Sequence, residues 1–574
     1  MTRIVDDPEA FARTALEGFA SIYPDHVRLV RGGVVRSTAV AEGKVSVIVG
    51  GGSGHYPAFA GYVGPGMADA AVAGEIFASP STAAVARVCR NAEYGGGILL
   101  GFGNYAGDVL NFGVAAERLR AEGVDVRIVT VTDDIASAPP ERQEQRRGIA
   151  GDFTVFKVAG AAAEAGLSIG EVERVTRHAN SRTFSMGVAF AGCTLPGAKA
   201  PLFEVEKGQM ALGLGIHGEP GIRESRIVSA SELAILLTGL LLAERPNGAR
   251  RAAVLLNGLG ATKYEELFVL WTAIARCLAV QDVEIVAPLV GEYVTSLDMA
   301  GCSLTLMWLD DELETYWLAD CDTPTFRRGN AGPRHPSTRQ VIDEAQAQPE
   351  PASSAQSAAS AACLARLMED LLAGLTEKEA EFGALDARAG DGDHGQGMRR
   401  GATAATEAIR RAVNAGAGAR TALGLAGDAW ADRAGGTSGA IWGLILRCWS
   451  NAFSDDEPIT DEAIVRGARL ALDEVMRLGG ARPGDKTLVD AFAPFVSALE
   501  QSWSDGRTIA DALSRAAGEA AAAALATAPL RPRLGRARPL ADKSVGHPDP
   551  GASSFTLMAA RVAAFMGKSH ERRG

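Results

Sequence analysis

The sequence predicts an α/β domain followed by an all-α domain, and three observations carry that prediction. Over residues 1–326, short β-rich runs end in glycine or a polar residue and alternate with helical patterns. Over 327–360 the pattern collapses into Gly, Pro, Ser, Ala and Gln, and from Ala361 onward the chain is Ala- and Leu-rich with helical periodicity and almost no strand signal. The first-half runs are Val45–Val49 before Gly50, Ile98–Leu100 before Gly101, Val126–Val131 before Asp133 and Ala253–Leu256 before Asn257; Phe156–Glu164 and Ser231–Leu242 supply helical patterns. Alternation of this kind predicts a buried, largely parallel sheet. The middle stretch reads as a flexible linker. As a coil of about thirty residues it spans on the order of 30 Å on average and roughly 100 Å when extended.

Length and composition narrow the function. At 574 residues the chain is too long for one core. A formal charge of −12 argues against general nucleic-acid affinity, so an anionic ligand needs locally placed donors or a metal to screen it. The seven cysteines are scattered, odd in number and without a C-x-x-C pair, which reads as reduced core thiols in a cytoplasmic protein. Met1-Thr-Arg-Ile-Val-Asp-Asp-Pro has no signal-peptide core, and the longest apolar run, Leu233–Ala243, is about half a membrane span.

The most informative stretch is Leu385–Gly395, which places Asp386, Asp391 and Asp393 within eight residues, with glycines at 390, 392 and 395 and His394 among them. Three carboxylates on one bent loop repel one another, and a hard divalent cation with oxygen ligands relieves that conflict. The glycines let backbone N–H groups approach an anion. The residues read either as a Mg²⁺–nucleotide site or as a solvated acidic turn or structural Ca²⁺ loop; the spacing fits neither an EF-hand nor a Walker A loop.

In the first half, Gly50-Gly51-Gly52-Ser53-Gly54-His55 follows a strand directly, either to bring backbone close to a ligand or as a structural turn. Asn104-Tyr105-Ala106-Gly107-Asp108 stands past another strand end, where Asp108 is a general base or a helix N-cap. His217 stands in Gly213-Leu214-Gly215-Ile216-His217-Gly218-Glu219-Pro220-Gly221, as a nucleophile toward a carbonyl or as a turn histidine.

Taken in order, these loops resemble the ketose-binding domain of the dihydroxyacetone kinase family. With them go Gly61–Met67, Gly74–Pro80, Arg146–Gly151 and Thr295–Gly301. The second half resembles that family's nucleotide-binding domain through the triple-Asp loop, Gly435–Gly439, Pro483–Thr487, Gly535-Arg536-Ala537 and Asp549-Pro550-Gly551-Ala552. The likeness covers nearly the whole chain apart from the linker. It implies an α/β ketose-binding domain of two α/β subdomains over 1–326, the linker over 327–360, and an eight-helix barrel over 361–574 that binds ATP and Mg²⁺.

Carried over, the resemblance makes His217 the residue that forms a hemiaminal with the substrate ketone, Asp108 the acceptor of the attacking hydroxyl's proton, and His55 a substrate hydrogen-bonding partner. Gly52, Ser53, Gly54 and Asn104 complete the ketose pocket. Asp386, Asp391 and Asp393 hold Mg²⁺ on the ATP phosphates; His394, Gly395, Gln396, Gly397, Thr437 and Ser438 face phosphate; Gly479, Leu488, Arg536, Asp549, Pro550 and Gly551 line the nucleotide pocket. Fusion in one chain resembles the members that exchange free ATP rather than those recharged by a phosphotransferase system. The linker is long enough for a helical domain to reach a partner subunit's ketose site in a homodimer. Two departures bear on substrate: the family usually carries Glu after the loop histidine and Lys before the Asn-Tyr run, where this chain has Tyr56 and Gly103. Loss of the lysine is expected to open space beside the ketose, and the pair resembles the branch acting on D- or L-erythrulose. Alternative readings are an FMN cyclase (FAD-AMP lyase) at the nucleotide domain and a non-catalytic ketose-sensing regulator.

Overall fold

The computed structural model describes the chain apart from residues 1, 3, 331–334, 341–352, 389, 391, 535–540 and 572–574. It divides into two compact units, the first ending at residue 342. The first unit holds two main sheets. One runs through β1 (Val27–Val30), β2 (Gly33–Arg36), β3 (Ser46–Ser53), β4 (Ala70–Ile76), β5 (Ile98–Gly103) and β6 (Val126–Val131), in the order β1-β2-β4-β3-β5-β6. β3, β4, β5 and β6 are mutually parallel, as the sequence predicts. Each strand is apolar on both faces because both faces are covered. Ile48 and Leu100 pack with Val85, Val88 and Phe112 on one side, while Val47, Val49 and Leu99 pack with Phe153, Val155 and Val175 on the other. The chain leaves β3 for β4 on one side and returns to β5 on the other, so the carboxyl ends of β3 and β5 flank a switch point where open sheets bind ligands.

The second sheet corrects the expectation of largely parallel pairing. It contains β7 (Thr183–Ala191), β8 (Gln209–Leu212), β9 (Arg223–Arg226), β10 (Arg251–Gly258), β11 (Glu284–Ile285), β12 (Leu289–Gly291) and β13 (Ala300–Leu309). Its path is β11-β10-β13-β7-β8-β9, and β10/β13, β13/β7, β7/β8 and β8/β9 are all antiparallel. A strand buried on both faces shows the same unbroken apolar run whichever way its neighbour points, so sequence alone does not fix the sense. The helix Gly151–Glu164 lies between the two sheets and is buried from Gly151 to Ala163, which explains a helix apolar on every side.

The first unit is also fastened by a buried charge network. Asp69 is 1% exposed and accepts from Arg36 Nη1 (3.2 Å), Lys44 Nζ (2.6 Å) and Val47 N (2.9 Å), while Glu164 accepts from Arg36 Nη1 at 2.9 Å and Nη2 at 3.0 Å. Removing one partner of such a network strands the others, so Asp69→Ala is expected to destabilise this unit by about 3 kcal/mol. Hydrogen exchange at the β3 and β4 amides reports that loss for this unit alone; unchanged protection there would contradict it.

The second unit is helical throughout its described residues. Eight helices of 16 residues or more occur there: 355–377, 394–414, 419–434, 436–452, 461–479, 489–504, 509–526 and 550–571. Each packs against the next, and the last packs on the first, where Arg561 Nη1 donates to Asp370 O at 3.0 Å, so the ring of eight closes. Short connections make neighbours antiparallel, so alternate helices begin at the same end. Four helix N-termini meet there, at His394, Gly436, Val489 and Pro550.

The segment expected as a linker is narrower than 327–360. Arg327–Arg328 (β15) pairs with Cys321–Asp322 (β14), and His335 and Ser337 exchange backbone hydrogen bonds with Ala39 and Ser37 (2.7 Å each). At the other end Ser354 caps a helix that starts at Ala355, accepting from Ser357 N at 3.1 Å. A capping serine ahead of an alanine run looks like low-complexity sequence but is a helix start.

Candidate active site

The glycine run ends β3 and closes on the segment that follows β4. A Cβ at Gly52 would stand 2.8 Å from the Ala78 nitrogen, and Gly54 has φ +103°, so these positions exclude side chains for steric reasons. Ser53 Oγ donates to Gly74 O at 2.6 Å. His55 is thereby placed at the carboxyl edge of the sheet, 2% exposed. His217 comes from the β8–β9 connection, a loop shaped by Gly213 (φ +74°) and Gly218 (φ +82°). A Cβ at Gly218 would fall 2.3 Å from the Phe203 ring, which again requires glycine.

The two histidines meet. His55 Nε2 lies 3.0 Å from His217 Nε2, His55 Nδ1 donates to Thr295 O at 2.8 Å, and His217 Nδ1 faces Glu219 Oε1 at 3.0 Å. Burial, then the charge of His217, push His55 down to about 3, so it is neutral with its proton on Nδ1 and a lone pair on Nε2. Burial alone would raise Glu219; the charge and hydrogen bond of His217, with Arg147, instead hold it well below the usual carboxylate range. Glu219 therefore accepts a hydrogen bond from His217 Nδ1–H and fixes which nitrogen faces the cleft. Tyr105 and Phe77 stand edge-on to the His217 ring, at 4.7 and 5.2 Å. Glu219→Gln keeps a hydrogen-bonding side chain and removes the charge. Its expected effect is a loss in ketose turnover of about tenfold to a hundredfold, read as kcat/KM at saturating nucleotide; an unchanged value would deny Glu219 this role.

A narrow cleft is lined by Gly50–Gly52, His55, Gly103, Tyr105, Asp108, Gly148, Asp152 and His217. Asp108 sits in the first turn of the helix Ala106–Ala121 and is buried; the N-cap is Tyr105, which corrects the capping alternative. Asn104 spends its amide on Glu144 O (3.0 Å) and Arg146 O (2.8 Å), holding the neighbouring loop. The expected extra space beside Gly103 is absent. A Cβ there would meet the Tyr105 ring at 3.2 Å and Gly148 Cα at 3.4 Å, because the two glycine backbones press together. Tyr56 is 50% exposed, packs against Phe19 and does not line the cleft.

In the helical unit the motif loops gather where the four N-termini meet. His394 Nε2 donates to Ser554 Oγ (2.9 Å), which in turn donates to Gly551 O (3.1 Å), and Ser438 Oγ faces His394 Nδ1 at 3.3 Å. Burial pushes His394 down to about 4, so it is a neutral bridge joining three loops, with both nitrogens engaged inside the protein rather than facing phosphate. Gly435 and Gly436 (φ +65° and +59°) lead into Thr437 and Ser438. Gly395 packs on the Glu379 backbone, and Gln396 and Gly397 continue the same first helical turn. Gly479 ends its helix at this end of the ring, and Leu488 abuts Gly551. Asp549 caps Pro550–Glu571 through Ala552 N (2.7 Å); burial, with Asp490 and Asp386 nearby, pushes its carboxyl up to about 7.

Asp386 Oδ2 accepts from Gly392 N at 2.9 Å and shapes the acidic loop, and Asp393 stands exposed at the helix start. Asp391 and Arg536 lie outside the described residues. Among the described residues no three acidic, His or Cys side chains are close enough to hold a metal ion. The donor set still fits Mg²⁺: it is all oxygen, and the negative charge of Asp490 and Asp386, which adds to burial in raising Asp549, is what a divalent cation relieves. Sequence reading missed Glu219, Asp152, Asp490 and Ser554. Glu219 had one available signal, its place two residues past His217 in a rigid loop.

A glycine-framed histidine pair in an α/β unit, joined to a helical ring whose N-termini gather around acidic loops, defines a two-domain phosphoryl-transfer protein. The family model described as the Dak1 domain matches residues 17–325, and the DAK2 domain matches 388–564. An L-erythrulose 1-kinase of Mycolicibacterium smegmatis is 53% identical over 97% of this chain and 98% of its own, and a D-erythrulose kinase of the same organism is 50% identical over 98% of each. The crystal structure of the C. freundii dihydroxyacetone kinase in complex with AMP-PNP and Mg²⁺ is similar with a TM-score of 0.53 and 29% identity, over 98% of this chain and 99% of that one. The chain belongs to the dihydroxyacetone kinase family, on its erythrulose kinase branch.

Proposed function

We propose that this protein transfers the γ-phosphoryl group of ATP to a terminal hydroxyl of a four-carbon ketose, erythrulose, held covalently at His217. It is an ATP-dependent ketose kinase that uses Mg²⁺. The observation that carries the residue assignment is the His55–His217–Glu219 chain, whose two histidines line one cleft with Asp108. The 3.0 Å contact between the two Nε2 atoms needs one proton, carried on His217 while His55 is neutral. When a ketone enters, that proton passes by way of His55 to the carbonyl oxygen as the freed His217 Nε2 lone pair bonds to the carbonyl carbon. The carbonyl π bond becomes the hemiaminal O–H, and the alkylated imidazolium remains paired with Glu219. Net charge is unchanged. Glycerol has no carbonyl and is excluded by this step.

Asp108 then accepts the proton of the terminal hydroxyl as its oxygen attacks the γ-phosphorus and the bond to ADP breaks. Asp386, Asp391 and Asp393 would hold Mg²⁺, which would supply charge neutralisation on the phosphates. Helix N-termini at His394, Gly436, Val489 and Pro550 offer backbone N–H groups to the same anion. The backbone and hydroxyls of Gly395–Gly397, Thr437 and Ser438 serve the phosphates, while Gly479, Leu488, Arg536, Asp549, Pro550 and Gly551 surround the nucleotide.

The four-carbon substrate is supported by the two erythrulose kinases at 53% and 50% identity. A coupled ATP-consumption assay with dihydroxyacetone, D-erythrulose, L-erythrulose and glycerol tests it. One erythrulose enantiomer should exceed dihydroxyacetone in kcat/KM by about tenfold, with no turnover of glycerol; preference for dihydroxyacetone over both enantiomers would overturn it. We also place the protein in the cytoplasm as a homodimer. Its seven free cysteines and the family resemblance support this, and sedimentation of the full chain tests the dimer. Among the described residues no helix is long and apolar enough to cross a membrane.

A further inference from the structure

Asp152 is a buried acid that the mechanism above does not use. It is 3% exposed, lines the ketose cleft, and its Oδ1 has no hydrogen-bond partner among the described residues. It does not cap its helix, since Asp133 does that work by accepting from Ile149 N (2.8 Å) and Gly151 N (2.7 Å). Those two bonds pin the turn that presents Asp152. Its Oδ1 lies 2.9 Å from where a Gly148 Cβ would stand, beside the Gly103–Gly148 contact, so only glycine at 148 leaves room next to that buried oxygen. Burial, then the nearby Asp133 and Asp108, hold the carboxyl well above its ordinary range, which favours the protonated acid with its one donor and one acceptor. A buried polar group without a partner costs stability, and its place on a cleft wall gives it a ligand to satisfy instead.

We propose that Asp152 positions the ketose by hydrogen-bonding the hydroxyls on the arm opposite the one that is phosphorylated, and so selects the four-carbon chain. This rests on the ketose kinase reading above. His217 holds the carbonyl carbon and Asp108 faces the reacting hydroxyl, which leaves the wall of Gly103, Gly148 and Asp152 for the other arm. When the C1 hydroxyl of a tetrulose is the one phosphorylated, that arm carries the C3 and C4 hydroxyls, matching the donor and acceptor of a carboxylic acid; a triose offers one.

The test compares kcat/KM of wild type, Asp152→Ala and Asp152→Asn on the preferred erythrulose enantiomer and on dihydroxyacetone. Asp152→Ala is expected to lose about a hundredfold on erythrulose and less than about fivefold on dihydroxyacetone. Asp152→Asn, which keeps a donor and an acceptor, should stay within about tenfold of wild type on both. Equal losses on the two ketoses would overturn the assignment. Melting of the free protein separates a structural role: with no partner to lose, Asp152→Ala should melt no lower than wild type, and a clear drop would count against the proposal. Should the alanine variant fail to fold, a crystal structure of the wild-type erythrulose complex decides, with Asp152 Oδ1 within hydrogen-bond distance of a substrate hydroxyl expected and a longer separation overturning it. Wild type that ignores both erythruloses but turns over dihydroxyacetone defeats the tetrulose reading by itself, whatever the variants do.

Discussion

Replacing His217 with alanine is expected to lower kcat/KM for the ketose by at least about a thousandfold, because it removes both the covalent anchor and the orientation that the anchor supplies. The cavity left is small and its rim is aromatic, with Tyr105 and Phe77 against the missing ring, so the fold should survive. Nucleotide affinity should remain within about twofold, since the loops proposed to bind ATP belong to the other unit. Steady-state kinetics with ketose varied at saturating ATP, alongside nucleotide titration, reads both. Retained ketose turnover in the alanine variant would remove His217 from the chemistry.

Asp393→Asn is the second large effect, with kcat expected to fall at least about a hundredfold at ordinary Mg²⁺. Asp393 is exposed at the start of a helix and contributes little to packing, so the substitution changes charge without disturbing the ring. Asp386→Asn should lose as much in turnover and also loosen the loop, because its Oδ2 accepts from Gly392 N and, at 3.4 Å, from His394 N. Ketose binding should be unaffected in both. Near-wild-type kcat for Asp393→Asn at saturating Mg²⁺ would refute the metal assignment.

What was legible in the sequence follows from what pattern can encode. The parallel strands β3, β5 and β6 were readable because each is an apolar run cut off by glycine or a polar residue at its carboxyl end. The antiparallel sheet was not, because strand sense leaves no trace when both faces are buried. His55, Asp108 and His217 were legible through the glycines around them, which the structure explains by close contacts with Phe203 and the Phe77–Ala78 backbone. The glycine at 103 was read as room for a larger ketose, whereas it is a close approach of two backbones; a missing side chain in sequence does not say what fills its place. Glu219 and Asp152 act through the partners they face or lack across space, and Asp152 looks like any acidic residue in a first helical turn. His394 was legible as a member of the acidic loop, but its role as a bridge depends on Ser438 and Ser554, 44 and 160 residues away.

The central claim is that the ketone becomes a hemiaminal on His217 before phosphoryl transfer. The most direct measurement is ¹³C NMR of the full-length protein with erythrulose labelled at its carbonyl carbon, without ATP and then with it. Wild type should convert the ketone resonance of the bound sugar into that of a tetrahedral carbon, which ATP and Mg²⁺ then discharge as the ketose phosphate, and His217→Ala should show no such signal. A bound ketose that keeps its ketone resonance and is still phosphorylated, or a tetrahedral signal that persists in His217→Ala, would contradict the account.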